Sequence, residues 1–340
     1  MPLSDYPVLK PSVVSKVVQK FPVSDTLFFT RRIGAAVRAP FPFIQWDEIE
    51  KARGLAEFAA FDAETHVASP MKITARSASA ADIREKLPIK ESTLNSLRAP
   101  GTNNQKWGMR QVAREEMNLR NLLDNRVEWM VAKMIQDGAF NYSVASGDNE
   151  VVKSVSYGIP SANQININAS GKATDNWVAG NAPDPMVNID EAKLVFRGTN
   201  VMPDNIAMNQ TVFNALRYNS NLLALIREKF GATGKALVTA VEFADLFGIS
   251  NFHVYDGTYL DGSTVTNYLV DTKVTIWRER AGAEKIWQFY DAPYGTNSRY
   301  GITAKTWEKE DPEVIWLRLW RRSLAVMEHV DWVVQMTIYN

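Results

Sequence analysis

The 340-residue sequence predicts an α+β fold organised around one long helix. Apolar residues recur at helical spacing across residues 107–137. Short helical and strand-like segments alternate between residues 188 and 277, which is typical of a mixed core. Residues 295–340 are rich in β-favouring side chains. A chain of this length can bury one large core or two moderate ones.

Composition narrows the function classes. Lys plus Arg and Asp plus Glu both total 38, so the formal net charge is zero. This balance does not favour tight wrapping of DNA, but it suits a protein that packs against copies of itself. The absence of Cys excludes disulfides and thiolate chemistry. Residues 1–20 lack the apolar core of a signal peptide, and no apolar run is long enough to span a membrane. We expect the protein to be made in the cytoplasm.

The first hundred residues show little helical pattern. Four prolines in residues 1–25 indicate an extended arm. Apolar bursts at residues 27–29 and 41–44 predict strands. The long polar stretch over residues 50–100 is uncommon inside a compact domain. A β-hairpin that reaches away from the body would explain it, because its apolar residues could be buried on a partner. Gly54 and Gly101 are candidate hinges.

The clearest element is the predicted helix over residues 107–137. Its main apolar stripe comprises Leu119, Leu123, Val127, Met130 and Met134, and Val112, Leu122, Val131 and Ile135 widen it. Charged residues are expected on the opposite side: Arg114, Glu115, Glu116, Arg120, Asp124 and Lys133. Gly138 follows at the position of a left-handed C-terminal residue. Thirty residues make a rod of about 45 Å.

The remaining chain alternates between strands and short helices. Residues 139–180 are expected to form a hairpin and then a loop. A mostly helical region over residues 188–249 begins with Asn188 as an N-cap and ends at Gly248, after a Thr239–Glu242 capping box. Strands are predicted at residues 206–208, 251–255, 268–270 and 273–277. A long antiparallel pair is predicted in residues 295–340.

Residues with reactive side chains form no recognisable catalytic pattern. His66, His253 and His329 are far apart, and a structural role is the favoured interpretation of each. The 231–236 segment GATGKA resembles a phosphate loop only superficially, because Ala236 stands where Ser or Thr is needed. Asp184 and Asp190 lack a partner pattern for acid–base chemistry. We therefore expect no catalytic, cofactor-binding or metal site, and no enzymatic activity.

Two charged groups suit contacts between proteins. The acids Asp47, Glu48, Glu50, Asp62 and Glu64 near the predicted hairpin either pair with bases of a neighbour or form a solvated face, and the solvated face is favoured. Arg318, Arg321 and Arg322 either face DNA or pair across strands with Glu308, Glu310 or Glu313, and cross-strand pairing is favoured.

Several stretches carry a family resemblance. They are the helix end at residues 126–138, the strand and helix at residues 206–216, and the helix and strand at residues 242–255, together with the order of elements along the chain. The chain resembles the Hong Kong 97-type capsid fold and, within it, the lambda-type major capsid protein E family. The resemblance implies an N-arm with the first strands (1–40), an extended E-loop hairpin (41–100), a peripheral domain with the spine helix (101–180), an axial domain (181–294) and C-terminal strands that return to the peripheral domain (295–340).

The resemblance also implies a function. Such a protein would assemble as hexamers and pentamers into the icosahedral head shell of a phage, would contact packaged double-stranded DNA non-specifically and would bind no membrane. A portal, a separate scaffolding protein and, in some shells, a decoration protein would be its partners. It would be found in the virion and, during assembly, in the host cytoplasm. Lys72, Lys86 and Lys90 lie in the loop region, but nothing selects one for a covalent cross-link.

Three alternatives remain open from the sequence. The first is a shell subunit of a cellular nanocompartment (encapsulin-like) with the same fold, which would enclose an enzyme. The second is a small-molecule enzyme such as a hydrolase, for which the sequence offers no motif. The third is a tail-tube protein, which the long helix disfavours.

Overall fold

The computed structural model describes residues 6–50, 72–97, 101–146, 149–167, 177, 184–230, 238–295, 298–310 and 313–338. The helices are α1 (Pro11–Lys20), α2 (Glu91–Leu97), α3 (Asn103–Asp137), α4 (Pro185–Arg197), α5 (Gln210–Tyr218), α6 (Ser220–Phe230) and α7 (Ala240–Phe247). The strands are β1 (Val37–Arg38), β2 (Phe43–Glu50), β3 (Lys72–Ser79), β4 (Ala81–Ile89), β5 (Ala139–Ser146), β6 (Asn149–Ser156), β7 (Gln164–Asn166), β8 (Asn205–Met208), β9 (Asn251–Val254), β10 (Thr258–Asp261), β11 (Thr264–Asn267), β12 (Lys273–Trp277), β13 (Arg280–Ala281), β14 (Glu284–Lys285), β15 (Trp287–Asp291), β16 (Thr303–Glu310), β17 (Glu313–Met327) and β18 (Val333–Thr337).

The predicted long helix is confirmed as α3, which begins four residues earlier than expected. Thr102 caps its start, since its hydroxyl oxygen accepts a hydrogen bond from the Gln105 amide. Gly138 ends it in the left-handed conformation with φ 65°. Any larger residue there would place its Cβ 2.7 Å from Ile159 Cδ1, so both the conformation and the space require glycine.

The expected polar side of α3 is wrong in part. Glu116, Arg120 and Asp124 are buried, whereas Leu122 is exposed. Arg120 donates to Asp124 at 2.8 Å and to the Val18 carbonyl at 2.7 Å. The helix is covered on more than one side, by α1 and α2 as well as by the sheet. A single apolar stripe therefore does not describe its buried surface.

Two five-stranded sheets organise the rest of the described chain. In the first sheet the order is β1-β15-β17-β16, and β4 pairs with the other side of β17. In the second sheet the order is β7-β18-β12-β8-β9, and apolar residues of α4 to α7 share its core. The predicted long C-terminal pair is confirmed as antiparallel β16 and β17.

The strand pairing crosses the expected segment boundaries. β15 already lies in the first sheet, before residue 294, and β18 pairs with β12 in the second sheet. Residues 295–340 therefore do not all return to the first sheet. β7 joins the second sheet from within the 101–180 segment. Strand pairing over long sequence distances carries no local signal, so the sequence pattern could not place these crossings.

The N-terminal segment is not an extended arm over its described residues. Residues 11–20 form α1, and Leu9, Val14 and Val18 are fully buried against α3 and the first sheet. Ser15 accepts a hydrogen bond from the Ala304 amide, and Thr306 donates to the Leu9 carbonyl. The prolines indicate an extended chain, but this interpretation is wrong for Pro11. It occupies the first helical position, where proline is tolerated.

The apolar burst at residues 27–29 forms turns and not a strand. The buried carboxylate of Glu128 on α3 organises these turns. It accepts hydrogen bonds from the amides of Phe29 and Thr30, at 2.9 and 2.7 Å, and from the Thr30 hydroxyl at 2.7 Å. A side chain 99 positions away thus satisfies backbone groups that a strand would otherwise pair.

Several smaller predictions have mixed outcomes. Asp184 caps α4, while Asn188 is buried inside that helix and accepts from the Trp177 indole. Residues 268–270 form a bend, and the strand there is β11, slightly earlier. The helical region breaks at Asn219, whose side chain caps α6. The capping box of α7, the strands at 206–208, 251–254 and 273–277 and the β5–β6 hairpin are confirmed.

The predicted hairpin is confirmed for β2 and β3, whereas residues 81–97 of the expected hairpin region form β4 of the first sheet and α2. β2 and β3 pair in antiparallel register from Phe43 with Ser79 to Glu50 with Lys72. Its base joins the body, since Trp46 is buried and packs 6.1 Å from the Tyr157 ring. Residues 51–71, including the candidate hinge Gly54, lie outside the described residues. The other candidate hinge, Gly101, has φ 77° with open space around it.

Replacing Glu128 by Ala should destabilise the protein by about 3 kcal/mol, because the buried Phe29 amide and the partly buried Thr30 amide and hydroxyl lose a charged acceptor. Urea unfolding followed by tryptophan fluorescence measures this change. The control is Arg114→Ala, an exposed position on the same helix, which should change stability by less than about 0.5 kcal/mol. Equal effects of the two variants would contradict the assigned role of Glu128.

Burial raises the pKa of the Glu116 carboxyl to about 7. The folded-state pKa lies above the unfolded one, so folding favours the protonated acid. Its contribution is fully present below about pH 4.5 and is lost as the pH rises through 7. We expect Glu116→Gln to gain about 2 kcal/mol over the wild type between pH 5 and pH 8. Thermal unfolding at both pH values measures the difference, and a pH-independent difference would contradict the burial assignment.

Candidate subunit-contact surfaces

The histidines that the structure describes have structural surroundings. His253 lies with its Nε2 2.9 Å from Asn205 Oδ1 and stacks on Trp277, and burial lowers its pKa to about 4. His329 stacks on Trp332 with ring centroids 4.1 Å apart. His66 lies outside the described residues. Within the described chain, no three His, Asp or Glu residues come together as metal ligands.

The acidic residues singled out in the sequence have different surroundings in the fold. Glu48 pairs with Arg76 across the β2–β3 hairpin at 2.5 Å, while Asp47 is exposed. Asp184 caps α4, and Asp190 pairs with Lys193. The side chains of Glu50, Asp62 and Glu64 and the 231–236 loop fall outside the described part.

The arginines of β17 correct the expected cross-strand pairing. Arg321 pairs with Asp291 at 3.0 Å, and Arg322 pairs with Asp82 at 3.0 Å. The β16–β17 register puts Glu308 opposite Ile315, on the face opposite to that of Arg318. Arg318 instead lies over the rings of Trp307 and Trp320, at 5.6 and 4.8 Å from their centroids.

An open groove runs beside α3, between its middle turns and the β10–β11 hairpin. Its volume is about 540 Å³, and its lining includes Leu122, Trp129, Leu260 and Val265. Leu260 and Val265 are 70% and 65% exposed. We call this the spine groove. Large apolar side chains that face solvent this fully are stabilised when another protein surface covers them.

Two further apolar groups are exposed elsewhere. Phe41, Phe43 and Ile73 lie at or along the β2–β3 hairpin and are more than half exposed. A third group lies on or beside the helices of the second sheet: Val187, Leu194, Met202, Tyr218 and Val241. The exposed apolar surface is thus spread over separate parts of the subunit. Several contacts with other protein copies, and not one pocket, would be needed to cover it.

None of the helices in the described chain combines the length and the apolar character needed to span a bilayer.

Comparisons with known proteins agree with a contact-forming subunit. A family model described as phage major capsid protein E matches residues 10–338. A phage-related protein from Bordetella bronchiseptica RB50 is similar over 96% of both chains, with a TM-score of 0.58 and 9% identity. A proposed prophage capsid protein from Escherichia coli CFT073 is similar over 79% of this chain and 80% of its own, with a TM-score of 0.56 and 14% identity. These likenesses show a shared fold. A search of curated protein sequences found no significant match.

Replacing both Leu260 and Val265 by Ser should weaken self-association about tenfold or more, because each apolar side chain gains about 1 to 2 kcal/mol when covered. Folding should be unaffected, since both side chains are exposed in the single subunit. Sedimentation velocity over a concentration series measures association, and Thr264→Ser on the same hairpin is the control. If the double variant associates as strongly as the wild type, the spine groove is not a contact surface.

Proposed function

The chain belongs to the phage major capsid protein E family, and from that premise we propose that its copies join as hexamers and pentamers by covering the apolar groups described above. It is a capsid shell protein with a Hong Kong 97-like fold and a structural role. The proposed product is the icosahedral head of a tailed phage, closed around double-stranded DNA. No catalytic step is part of this proposal.

The observation that carries the proposal is the dispersal of exposed apolar surface over the hairpin, the spine groove and the second-sheet helices. A binary complex would cover one such surface. A closed shell gives each subunit neighbours on several sides, so all three can be buried at once. The zero net charge also supports the proposed shell, because copies without a net charge do not repel one another at close range.

The two sheets and the hairpin suggest how the subunit is divided into domains. We assign the first sheet with α3 to a peripheral domain and the second sheet with α4 to α7 to an axial domain. The β2–β3 hairpin, with the segment between its strands, is the proposed E-loop. The N-terminal segment differs from the expected draped arm, because residues 6–20 pack on their own chain. Shell contacts of the proposed kind then fall to the hairpin, the spine groove and the second-sheet helices.

The proposed partners beyond the shell follow from the same family. They are a separate scaffolding protein, a portal and, where the shell is reinforced, a decoration protein. The proposed place of assembly is the host cytoplasm, and the virion is the final location. Packaged DNA would be contacted without sequence specificity, through phosphate charges alone.

Negative-stain electron microscopy of the purified full-length protein tests the proposal directly. The expected result is hollow icosahedral shells, or separate hexamers and pentamers, at micromolar concentration. Mass spectrometry and nucleic-acid absorbance of particles from cells then separate two kinds of shell. A particle that holds one companion protein and no nucleic acid would favour the nanocompartment alternative. A protein that stays monomeric at high concentration would contradict both.

A further inference from the structure

The side of α1 and α3 that faces away from the first sheet is positively charged. α1 packs on β16, and α3 packs on β17 and β4, so the two helices lie next to each other on one face of that sheet. Opposite the buried stripe of each helix, helical spacing places a row of bases: Lys16 and Lys20 in α1, and Lys106, Arg110 and Arg114 in α3. All five side chains are exposed. We call these five residues the basic helical layer.

Acidic side chains do not balance the basic helical layer. Of the acids in α1, α2 and α3, Glu91 is the exposed one. The acids of α3 are all buried or half-buried: Glu115, Glu116, Asp124, Glu128 and Asp137. In the part of the chain that the structure describes, the five bases of the layer form no ion pair. The positive charge is therefore concentrated on one surface, although the whole chain is neutral.

The bases of the layer repel one another along each helix. Lys16 and Lys20 are four residues apart, and Lys106, Arg110 and Arg114 follow one another at the same spacing. Side chains four residues apart are neighbours on a helix, and like charges at this spacing destabilise it. Each step of four residues advances about 6 Å along the helix axis. An anionic partner that contacts several of the bases at once would relieve this repulsion.

The two rows of bases are held in a fixed position relative to each other. Arg120 of α3 donates to the Val18 carbonyl of α1 at 2.7 Å, which ties the two helices together. α1 is also fixed to β16, because the Thr306 hydroxyl donates to the Leu9 carbonyl at 2.7 Å. Binding would therefore have to order the side chains of the bases but not the backbone that carries them. The layer is preorganised for a partner with many negative charges.

We propose that the basic helical layer binds double-stranded DNA through its phosphates. This inference rests on the proposed function and names the surface of the subunit that meets packaged DNA. The spine groove is lined by later residues of α3, so the layer offers charge without a pocket for the apolar side chains of a protein partner. Lys and Arg that contact phosphates read no base sequence. Each subunit would bind weakly, and many linked copies would add their contacts.

The salt dependence of DNA binding by the full-length protein tests the proposal. Fluorescence anisotropy of a short fluorescein-labelled duplex measures the dissociation constant, at protein concentrations at which sedimentation velocity detects no particles. The logarithm of the binding constant should fall with the logarithm of the salt concentration with a slope of about −4, because each neutralised phosphate contributes about −0.9. Duplexes of unrelated sequence should bind about equally.

Charge reversal locates the binding surface. The layer variant carries Lys16→Glu, Arg110→Glu and Arg114→Glu, all at exposed positions. It should bind the duplex at least about tenfold more weakly, with a salt slope that is shallower by about three, because each lost phosphate contact removes about one from the slope. If this variant does not fold, as judged by circular dichroism, the milder pair Arg110→Gln and Arg114→Gln should make the slope shallower by about two.

A charge-matched control shows whether position matters. Arg197→Glu, Arg227→Glu and Arg280→Glu change the net charge by the same amount at exposed positions on α4, α6 and β13. This control variant should keep the salt slope of the wild type and bind the duplex within about twofold of it, because phosphate contacts act at short range. A folded layer variant that binds DNA as tightly as the control variant would overturn the proposal.

Electron microscopy of the same preparations separates this inference from the proposed function. If DNA binds through the layer but no shells form at any concentration, the inference stands and the proposed function is wrong. If shells form while the wild type and the layer variant bind DNA equally, the inference is wrong and the proposed function stands. Competition with polyglutamate tests the other class of partner. If polyglutamate binds the layer more tightly than the duplex does at the same salt concentration, the layer is a site for an acidic protein and the proposal is wrong.

Discussion

The packing of α3 against both sheets is the constraint on which the rest of the structure depends. The helix contacts β4 and β17 of the first sheet and β12 and β18 of the second. Its residues contribute to two of the three apolar clusters, and its Glu128 fixes the turns that lead to β1. Removing this helix would uncover the inner side of β4 and β17 in the first sheet. The single helical rod therefore sets the positions from which the hairpin and the spine groove reach other molecules.

Local patterns in the sequence predicted the elements that they encode. The helix over residues 107–137, the capping box at Thr239 and the final long strands all formed, because periodicity and capping act within a few residues. The failures are long-range effects. Residues 27–29 form turns because Glu128 supplies acceptors, and Pro11 starts a helix because β16 and α3 cover its apolar side. Neither partner is visible in a local window.

The contact surfaces show the same difference between what local sequence patterns predict and what long-range pairing decides. Acidic residues near the hairpin and arginines in β17 were identifiable by type, but their partners were not. The register decides that Arg322 meets Asp82, which is 240 residues away, and that Lys86 meets Arg318. Exposed apolar residues such as Leu260 could not be told from core residues by sequence alone. Burial is a property of the assembled sheets and helices, so surfaces of this kind become visible only in three dimensions.

The position of β18 has a consequence for synthesis on the ribosome. This strand lies between β7 and β12 in the second sheet, although residues 333–337 follow the other strands that the structure describes. A nascent polypeptide that has not yet released these residues cannot close that sheet, and β7 remains without its neighbour. An incomplete chain therefore exposes the unpaired edges of β7 and β12 and the apolar core between the second sheet and its helices, which makes it prone to aggregation until synthesis is finished.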